Sequence, residues 1–464
     1  MHSVNPVYTA AVPYENTGGF MNKKAPIINK KSIDAWRDKK FGMFIHWGLY
    51  SKGDISEWGM FGKPIDIDEY AERAKEFNPD KFNASEWAKL AKAAGMNYTV
   101  LTAKHHDGFS LWDSKACLND HTSVNCPAKR DFIKEYTDAV RDEGLMVGIY
   151  YSPLDWRFPG FFFPQMYKRN AEALVNQAHS QIKELMTEYG KIDLLWFDGG
   201  EDYYLAHGFH HHKFARPQDY RDNPQVKNFW RTDELDKMIR EAQPGIICND
   251  RIGDKSYGDY FAPEKKIGEY NTTDPWETCE TMTNTWNYRP NSKIRSLRSC
   301  IQLLAKVVCN GGNLLLNVAP KLDGSFEEAE IKRLKEIGAW LEKYGESIYG
   351  TRGGPIKVDD WGGTTNKENK LYFHILDWVS DEIFVPNVYG AEVKCLTGAP
   401  VYVREENGML AISVPSDYRQ EIDTIIEITY NKKVTDFIDD ATDYNDICKN
   451  LVYENAAIIE EDIK

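Results

Sequence analysis

The sequence predicts an α/β fold, a (β/α)8-like TIM barrel followed by a small C-terminal β-sandwich. Three observations lead there. Apolar runs alternate with amphipathic stretches as far as Gly350, the pattern of strands and crossover helices. At least five of those runs end in polar or ionisable residues, which favours a barrel over a doubly wound sheet, because a barrel assembles its site from several strand ends. Beyond Gly350 the helical spacing mostly stops and short strands between turns replace it, as in a sandwich. The chain therefore divides into residues 1–350, a barrel with an N-terminal arm, and residues 351–464, a β-sandwich.

Residues 1–31 are rich in Pro, Asn, Lys and Gly and read as an irregular arm. Ser32 is placed to cap a short helix through Trp36 to Lys40. The apolar strand 41–45 follows and ends in His46-Trp47-Gly48, and a polar, aromatic loop at 51–64 carries Glu57-Trp58. Helices are expected at 68–77 and 85–94; Trp87, Leu90 and Ala91 share a face of the second, and Gly95 closes it. Strand 98–103 runs into Lys104-His105-His106-Asp107-Gly108, and helix 132–143 leads to strand 146–152. After an aromatic loop (153–164) and a long helix (167–189), strand 192–197 is apolar throughout, as a strand covered on both faces must be. It stops at Asp198-Gly199-Gly200.

An insertion rich in His and Arg, 201–230, precedes helix 233–242 and strand 245–251. A sixth strand is expected at 266–270, followed by a loop at 271–290, helix 294–309, strand 313–319 and helix 327–344. In the sandwich, short strands are expected at 371–376, 382–385, 401–403, 409–414 and 424–428.

Composition removes several classes of function. A net charge of −14 argues against nucleic acid or an anionic membrane as partner. No run of about 18 apolar residues is present to span a bilayer. The eight cysteines include no Cys-x-x-Cys and no Cys/His zinc pattern, so they read as mostly reduced thiols, with disulfides left open. The first 40 residues lack the apolar stretch of a signal peptide, so the expectation is a cytoplasmic protein, or an exported one whose signal is absent from this sequence. The heavy aromatic load suits sugar binding and suits a large core equally.

The strand ends gather His46-Trp47, His105-His106, Tyr150-Tyr151, Trp196 with Asp198, and Asn249-Asp250-Arg251; the loops add Glu57, Glu264, Glu269 and Glu277. Each hydroxyl of a neutral, hydroxyl-rich ligand needs a donor or an acceptor, and its C–H face needs a flat apolar surface. Histidines, carboxylates, an arginine and indoles supply both. Asp198 alone could be a turn-forming Asp-Gly, and His46 a core histidine. No metal is expected, because adjacent His105-His106 is a poor chelating spacing, and the His207–His212 run reads as a solvated loop.

Eight motifs occur in order: Phe-Gly-Met-Phe-Ile-His-Trp-Gly, Glu-Trp, Leu-Thr-Ala-Lys-His-His-Asp-Gly-Phe, Tyr-Tyr-Ser, Leu-Trp-Phe-Asp-Gly-Gly, Asn-Asp-Arg, Pro-Trp-Glu-Thr-Cys and Gly-Gly-Asn-Leu-Leu-Leu-Asn-Val-Ala-Pro. Through them the chain resembles the α-L-fucosidases of glycoside hydrolase family 29, over residues 36–350 and more loosely beyond. The resemblance implies a retaining exo-glycosidase without cofactor or metal that releases terminal L-fucose through a covalent fucosyl-enzyme. Fucosylated oligosaccharides or glycoconjugates would be its partners, with a homo-oligomer left open. It implies Asp198 as nucleophile and, in the broad-specificity branch, Glu277 of Trp276-Glu277 as acid/base, with Glu269 and Glu264 as runners-up. It carries fucose binding onto His46, Glu57, Trp58, His105, His106, Tyr151, Trp196 and Arg251. Trp286 departs from the family's Trp-Gly-Tyr and leaves its part of the pocket wall open. Alternatives are a β-galactosidase-like exo-glycosidase, an inactive lectin-like binder, and a metal-dependent hydrolase that lacks its chelating spacing.

Overall fold

The computed structural model describes residues 29–437 except 64, 201–227, 357 and 407. Most of the N-terminal arm, most of the 201–230 insertion with the His207–His212 run, and Cys448 therefore lie outside the described residues.

Among the described residues, seven parallel strands form in the first part: β1 (Phe41–Ile45), β2 (Tyr98–Lys104), β3 (Met146–Tyr151), β4 (Leu194–Phe197), β5 (Ile247–Cys248), β6 (Glu277–Thr281) and β7 (Asn313–Val318). They form one curled sheet in the order β5-β4-β3-β2-β1-β7-β6. Side chains alternate between two cores, as strand geometry requires. Phe44, Val100, Tyr150, Leu194, Trp196 and Leu315 pack together on the inner face. Met43, Leu101, Ile149, Tyr151, Leu195 and Phe197 face outward, into the core they share with the helices.

Those helices start where the sequence supplies caps. Asn83 accepts from Glu86 N (3.2 Å) before Ala84–Ala93, Asp131 from Lys134 N (2.8 Å) before Phe132–Asp142, and Ser296 from Ser299 N (3.1 Å) before Leu297–Cys309. Each cap is worth about 1 kcal/mol. The long helix Lys168–Glu188 buries Leu174, Ile182 and Leu185. No described helix is long and apolar enough to cross a membrane.

The sixth strand is not where the sequence suggested. Residues 266–270 form no strand, whereas Glu277–Thr281, expected in a loop, is β6. Its Glu-Thr-Cys-Glu-Thr composition hides it, because its buried side chains are mostly polar, Glu277 being satisfied by Tyr98 and Trp196 and the threonines by the carbonyls of Lys266 and Thr283. Residues 260–264 run between the two edge strands and make single parallel bridges, Asn249 to Tyr260 on one side and Phe261 to Trp276 and Glu264 to Cys279 on the other.

One close approach at the bottom of the sheet requires a glycine. A Cβ on Gly42 would stand 2.3 Å from the ring of Tyr98, its partner in the β1–β2 register.

Beyond residue 350 the strands are antiparallel. Five form one sheet, in spatial order Glu392–Cys395, Thr424–Thr429, Lys370–Ile375, Gly362–Lys367 and Arg352–Gly353. Three form another, Ile383–Pro386, Met409–Ser413 and Tyr402–Glu406. Phe373, Ile375, Ile426 and Ile428 of the first share a core with Val385 and Ile412 of the second. Gln302, on the helix Leu297–Cys309, donates to Leu376 O (3.1 Å) and Ile422 O (3.0 Å), tying this part to the helices. Among the described residues, all seven cysteines are free thiols.

Candidate active site

At the C-terminal end of the parallel sheet a cavity of about 70 Å³ is lined by Phe44, His46, Glu57, Trp58, His105, Tyr150, Trp196, Asp198, Glu264, Cys279 and Trp286. Asp198 follows the last residue of β4. Gly199 behind it has φ +73°, and a Cβ there would press to 3.0 Å on the His106 ring, so only glycine lets the chain turn beside that imidazole. One Asp198 oxygen accepts from the Tyr150 hydroxyl at 2.8 Å, and His106 Nε2 lies 3.6 Å from the same atom. The other oxygen accepts from Arg251 Nη1 at 3.2 Å.

That same Nη1 donates to Glu264 at 3.0 Å. The two carboxylate oxygens are thus no farther apart than those two bonds laid end to end, which suits the ~5–5.5 Å separation of a retaining glycosidase pair. The Glu264 side chain is 43% exposed, at the mouth of the cavity. Arg251 also donates through Nε and Nη2 to Ala262 O (3.1 and 2.6 Å), and its guanidinium lies 4.7 Å from the Trp196 ring centroid.

His46 and His105 in the lining, and His106 beside Asp198, are held in neutral form, because burial disfavours their charged state. It brings His46 down to about 4 and His106 to about 3, and pushes His105 well below its usual value. Proton accounting gives two tautomers. Asn317 donates its amide nitrogen to Trp286 O (2.7 Å), so its oxygen faces His46 Nδ1 at 2.6 Å, which must carry the hydrogen. His106 Nδ1 lies 2.7 Å from Ser152 Oγ, and the Asp198 carboxylate 3.6 Å from Nε2 favours the hydrogen on Nε2, so the Ser152 hydroxyl donates to Nδ1. Burial also raises the Glu57 carboxyl to about 7, against the opposing pull of Lys265 and Arg289. Trp58 meets His106 edge to face at 5.1 Å.

Most of the expected site residues converge here, but three do not. Tyr151 points outward and donates to Gln181 on the helix Lys168–Glu188 (2.8 Å); Tyr150, one residue earlier, points inward and stacks on Trp196 and His105. Successive strand residues face opposite ways, and the sequence pair Tyr-Tyr gives no parity. Glu277 begins β6, opposite Asn313, at the N-terminal end of the sheet and away from the Asp198 rim. It is fully buried, accepts from Tyr98 OH (2.5 Å) and Trp196 Nε1 (3.1 Å), and burial raises its carboxyl to about 7. Glu269 is exposed and outside the cavity lining. Trp286, the departure from the family pattern, lines the wall 5.0 Å from the His46 ring. Phe44 and Cys279 are lining residues that sequence reasoning missed; each is an apolar side chain on the inner face of a strand, a signal available only once parity is known.

His105, His106 and Asp198 each bring one donor atom within 4.8 Å of the others, the minimum a metal ion would need. Both Asp198 oxygens, however, already accept from Tyr150 and Arg251.

The model of a family described as Alpha-L-fucosidase matches residues 9–346. The plasma alpha-L-fucosidase of Rattus norvegicus is 30% identical over 401 residues, covering 78% of this chain and 82% of that protein. Alpha-L-fucosidase isoenzyme 1 from Paenibacillus thiaminolyticus superposes with a TM-score of 0.74 at 34% identity, over 87% of this chain and 99% of that one. A Bacteroides thetaiotaomicron GH29 alpha-L-fucosidase, solved as a trapped covalent intermediate with 2-fluoro-fucosyl fluoride using a glutamate-to-glutamine mutant, gives 0.74 at 28% identity, over 86% and 95%.

Proposed function

Because the chain belongs to the α-L-fucosidase family of glycoside hydrolases, we propose that Asp198 and Glu264 are the two carboxylates of its retaining reaction. The protein is a retaining α-L-fucosidase, and its substrates are fucosylated glycans. The observation that carries the assignment is the single Arg251 nitrogen bonded to both carboxylates.

In the first step an Asp198 oxygen forms a bond to the anomeric carbon as the glycosidic C–O bond breaks, and Glu264 gives its proton to the departing oxygen. In the second, Glu264 takes a proton from water, the water oxygen bonds to the anomeric carbon, and Asp198 leaves. Two inversions give retention. Tyr150 and Arg251 hold Asp198 in line, and the neutral imidazoles of His46, His105 and His106, with Glu57, offer acceptors and donors to sugar hydroxyls. Trp58, Trp196 and Trp286 supply flat surface for its C–H face.

We read the segment 260–264 as the eighth stave of a (β/α)8 barrel, supported by its bridges to both edge strands, and residue 350 as the boundary with a C-terminal β-sandwich. We retain the broad-specificity branch as an expectation; a panel of α1,2-, α1,3-, α1,4- and α1,6-linked fucosides tests it, and activity on a single linkage would refute it.

The decisive experiment on the acid/base compares leaving groups. Glu264→Ala should keep forming the fucosyl-enzyme from activated aryl fucosides while losing about 10²–10⁴-fold on natural glycans. An equal response of both substrates would remove Glu264 from the role.

A further inference from the structure

Glu277 is a carboxyl sealed in the core, with no route to the sugar. Its two oxygens are each given a donor, Tyr98 OH at 2.5 Å and Trp196 Nε1 at 3.1 Å. Trp196 is where the site's parts meet. Its indole stacks on Tyr150 at 5.7 Å and 16°, packs on Phe44 at 5.0 Å, and carries the Arg251 guanidinium at 4.7 Å. Tyr150 and Arg251 are the two donors to Asp198, and Arg251 also holds Glu264. An indole in a stack has one in-plane anchor, its N–H; without an acceptor the ring can turn about its side-chain bonds, and the buried N–H is left unpaired.

We propose that Glu277 is a positioning residue of the fucosidase reaction, fixing the Trp196 plane from beneath so that Tyr150 and Arg251 are aimed at Asp198. The proposal rests on the Asp198–Glu264 reading. Its requirement is for a planar group with an acceptor toward Trp196, not for an exchangeable proton at the sugar. A glutamine can meet it: the amide oxygen accepts the indole N–H, the amide nitrogen donates to Tyr98 Oη, and the Tyr98 proton turns to Leu314 O, already 3.5 Å away.

The test compares Glu277→Ala, Glu277→Gln, Trp196→Phe and the double variant Glu277→Ala/Trp196→Phe. The substrates are an aryl α-L-fucoside and a fucosyl disaccharide. Misaimed donors lower kcat alike on both, and we expect about 10²-fold for Glu277→Ala with KM moving less. Labelling of Asp198 by 2-fluoro-fucosyl fluoride should slow in parallel. The pH profile should keep its shape, Glu277→Gln should restore most of the activity, and the double variant should lose little more than the worse single one. An active-site acid/base would behave differently, with Glu277→Gln failing on the disaccharide but not on the aryl substrate; that outcome overturns both this proposal and the role of Glu264. A folded Glu277→Ala with wild-type kcat, or with a lowered melting midpoint as its only change, overturns the positioning role and leaves Asp198 and Glu264 standing. If Glu277→Ala does not fold, Glu277→Gln and Trp196→Phe carry the comparison. Trp196→Phe must then lower kcat equally on both substrates, and full activity in it sinks the proposal.

Discussion

The two ends of the parallel sheet carry similar side chains and use them differently. At the C-terminal rim, Asp198 and Glu264 meet a guanidinium, a phenol and the cavity. At the N-terminal end, Glu277 meets a phenol and an indole and no space. Carboxylate chemistry needs access and a neighbouring charge; a carboxyl with two neutral donors and no exposure is a fastening. A Trp-Glu dipeptide looks the same in both settings, so the end of the strand decides its role.

The largest effect that would break this comparison lies at Asp198. Asp198→Gly should cost on the order of 10⁴-fold or more in kcat on an aryl α-L-fucoside, with added azide partly restoring turnover as the inverted fucosyl azide. Retained activity would end the assignment. Arg251→Ala should come next, at about 10²-fold, because both carboxylates and the Ala262 carbonyl lose their common donor; a change confined to KM would show that it only binds sugar.

The two tyrosines of β3 sharpen the contrast between inner and outer faces. Tyr150→Phe should lower kcat about tenfold by deleting a hydroxyl bonded to Asp198, the proposed nucleophile. Tyr151→Phe should leave kcat alone and cost about 1 kcal/mol in urea unfolding, the value of its bond to Gln181. The reverse ranking would mean the strand is turned the other way.

The smallest effect is a pH dependence. Burial holds the Glu277 proton to about pH 7, whereas the unfolded chain releases it near the usual carboxylate value of 4.5. Between those pH values the native state binds more protons, so the Glu277 contribution to stability falls as pH rises through about 4.5 to 7 and then levels. Glu57 acts in the same direction; His46, lowered to about 4, acts oppositely by favouring the native state as pH rises from 4 to 6.5. Subtraction isolates the group of interest. Glu277→Gln should gain stability relative to wild type across that window, by up to a few kcal/mol, measured by denaturant unfolding at each pH. A flat difference would mean that Glu277 is ionised in the native protein throughout.

What the sequence made legible follows from how strongly each residue's setting is written into its neighbours. Strands β1 and β4 are continuous apolar runs and β2 and β3 nearly so, and the motif residues His46, His105, His106 and Asp198 sit where those runs stop, so the rim could be read directly. The strand β6 could not, because its buried carboxyl is satisfied by partners distant in sequence, Tyr98 and Trp196 for Glu277. The acid/base candidate was obscured for the same reason. Glu264 is near Asp198 only through Arg251 and the bridges of the 260–264 segment, neither of which has a local sequence signature. The Tyr150–Tyr151 choice failed on parity alone, since two identical residues carry no inward mark.

Arg251 also fastens the Ala262 carbonyl through its remaining nitrogens, two residues before Glu264. The spacing between the Asp198 and Glu264 carboxyls is thereby gauged by one rigid planar group and not by the length of the loop that follows. The exposed and half-buried stretch 265–274 can then be lengthened, shortened or recoloured to suit different glycans while the interval between Asp198 and Glu264 stays constant. In this architecture, selectivity toward the departing sugar and fidelity of the displacement are separately adjustable.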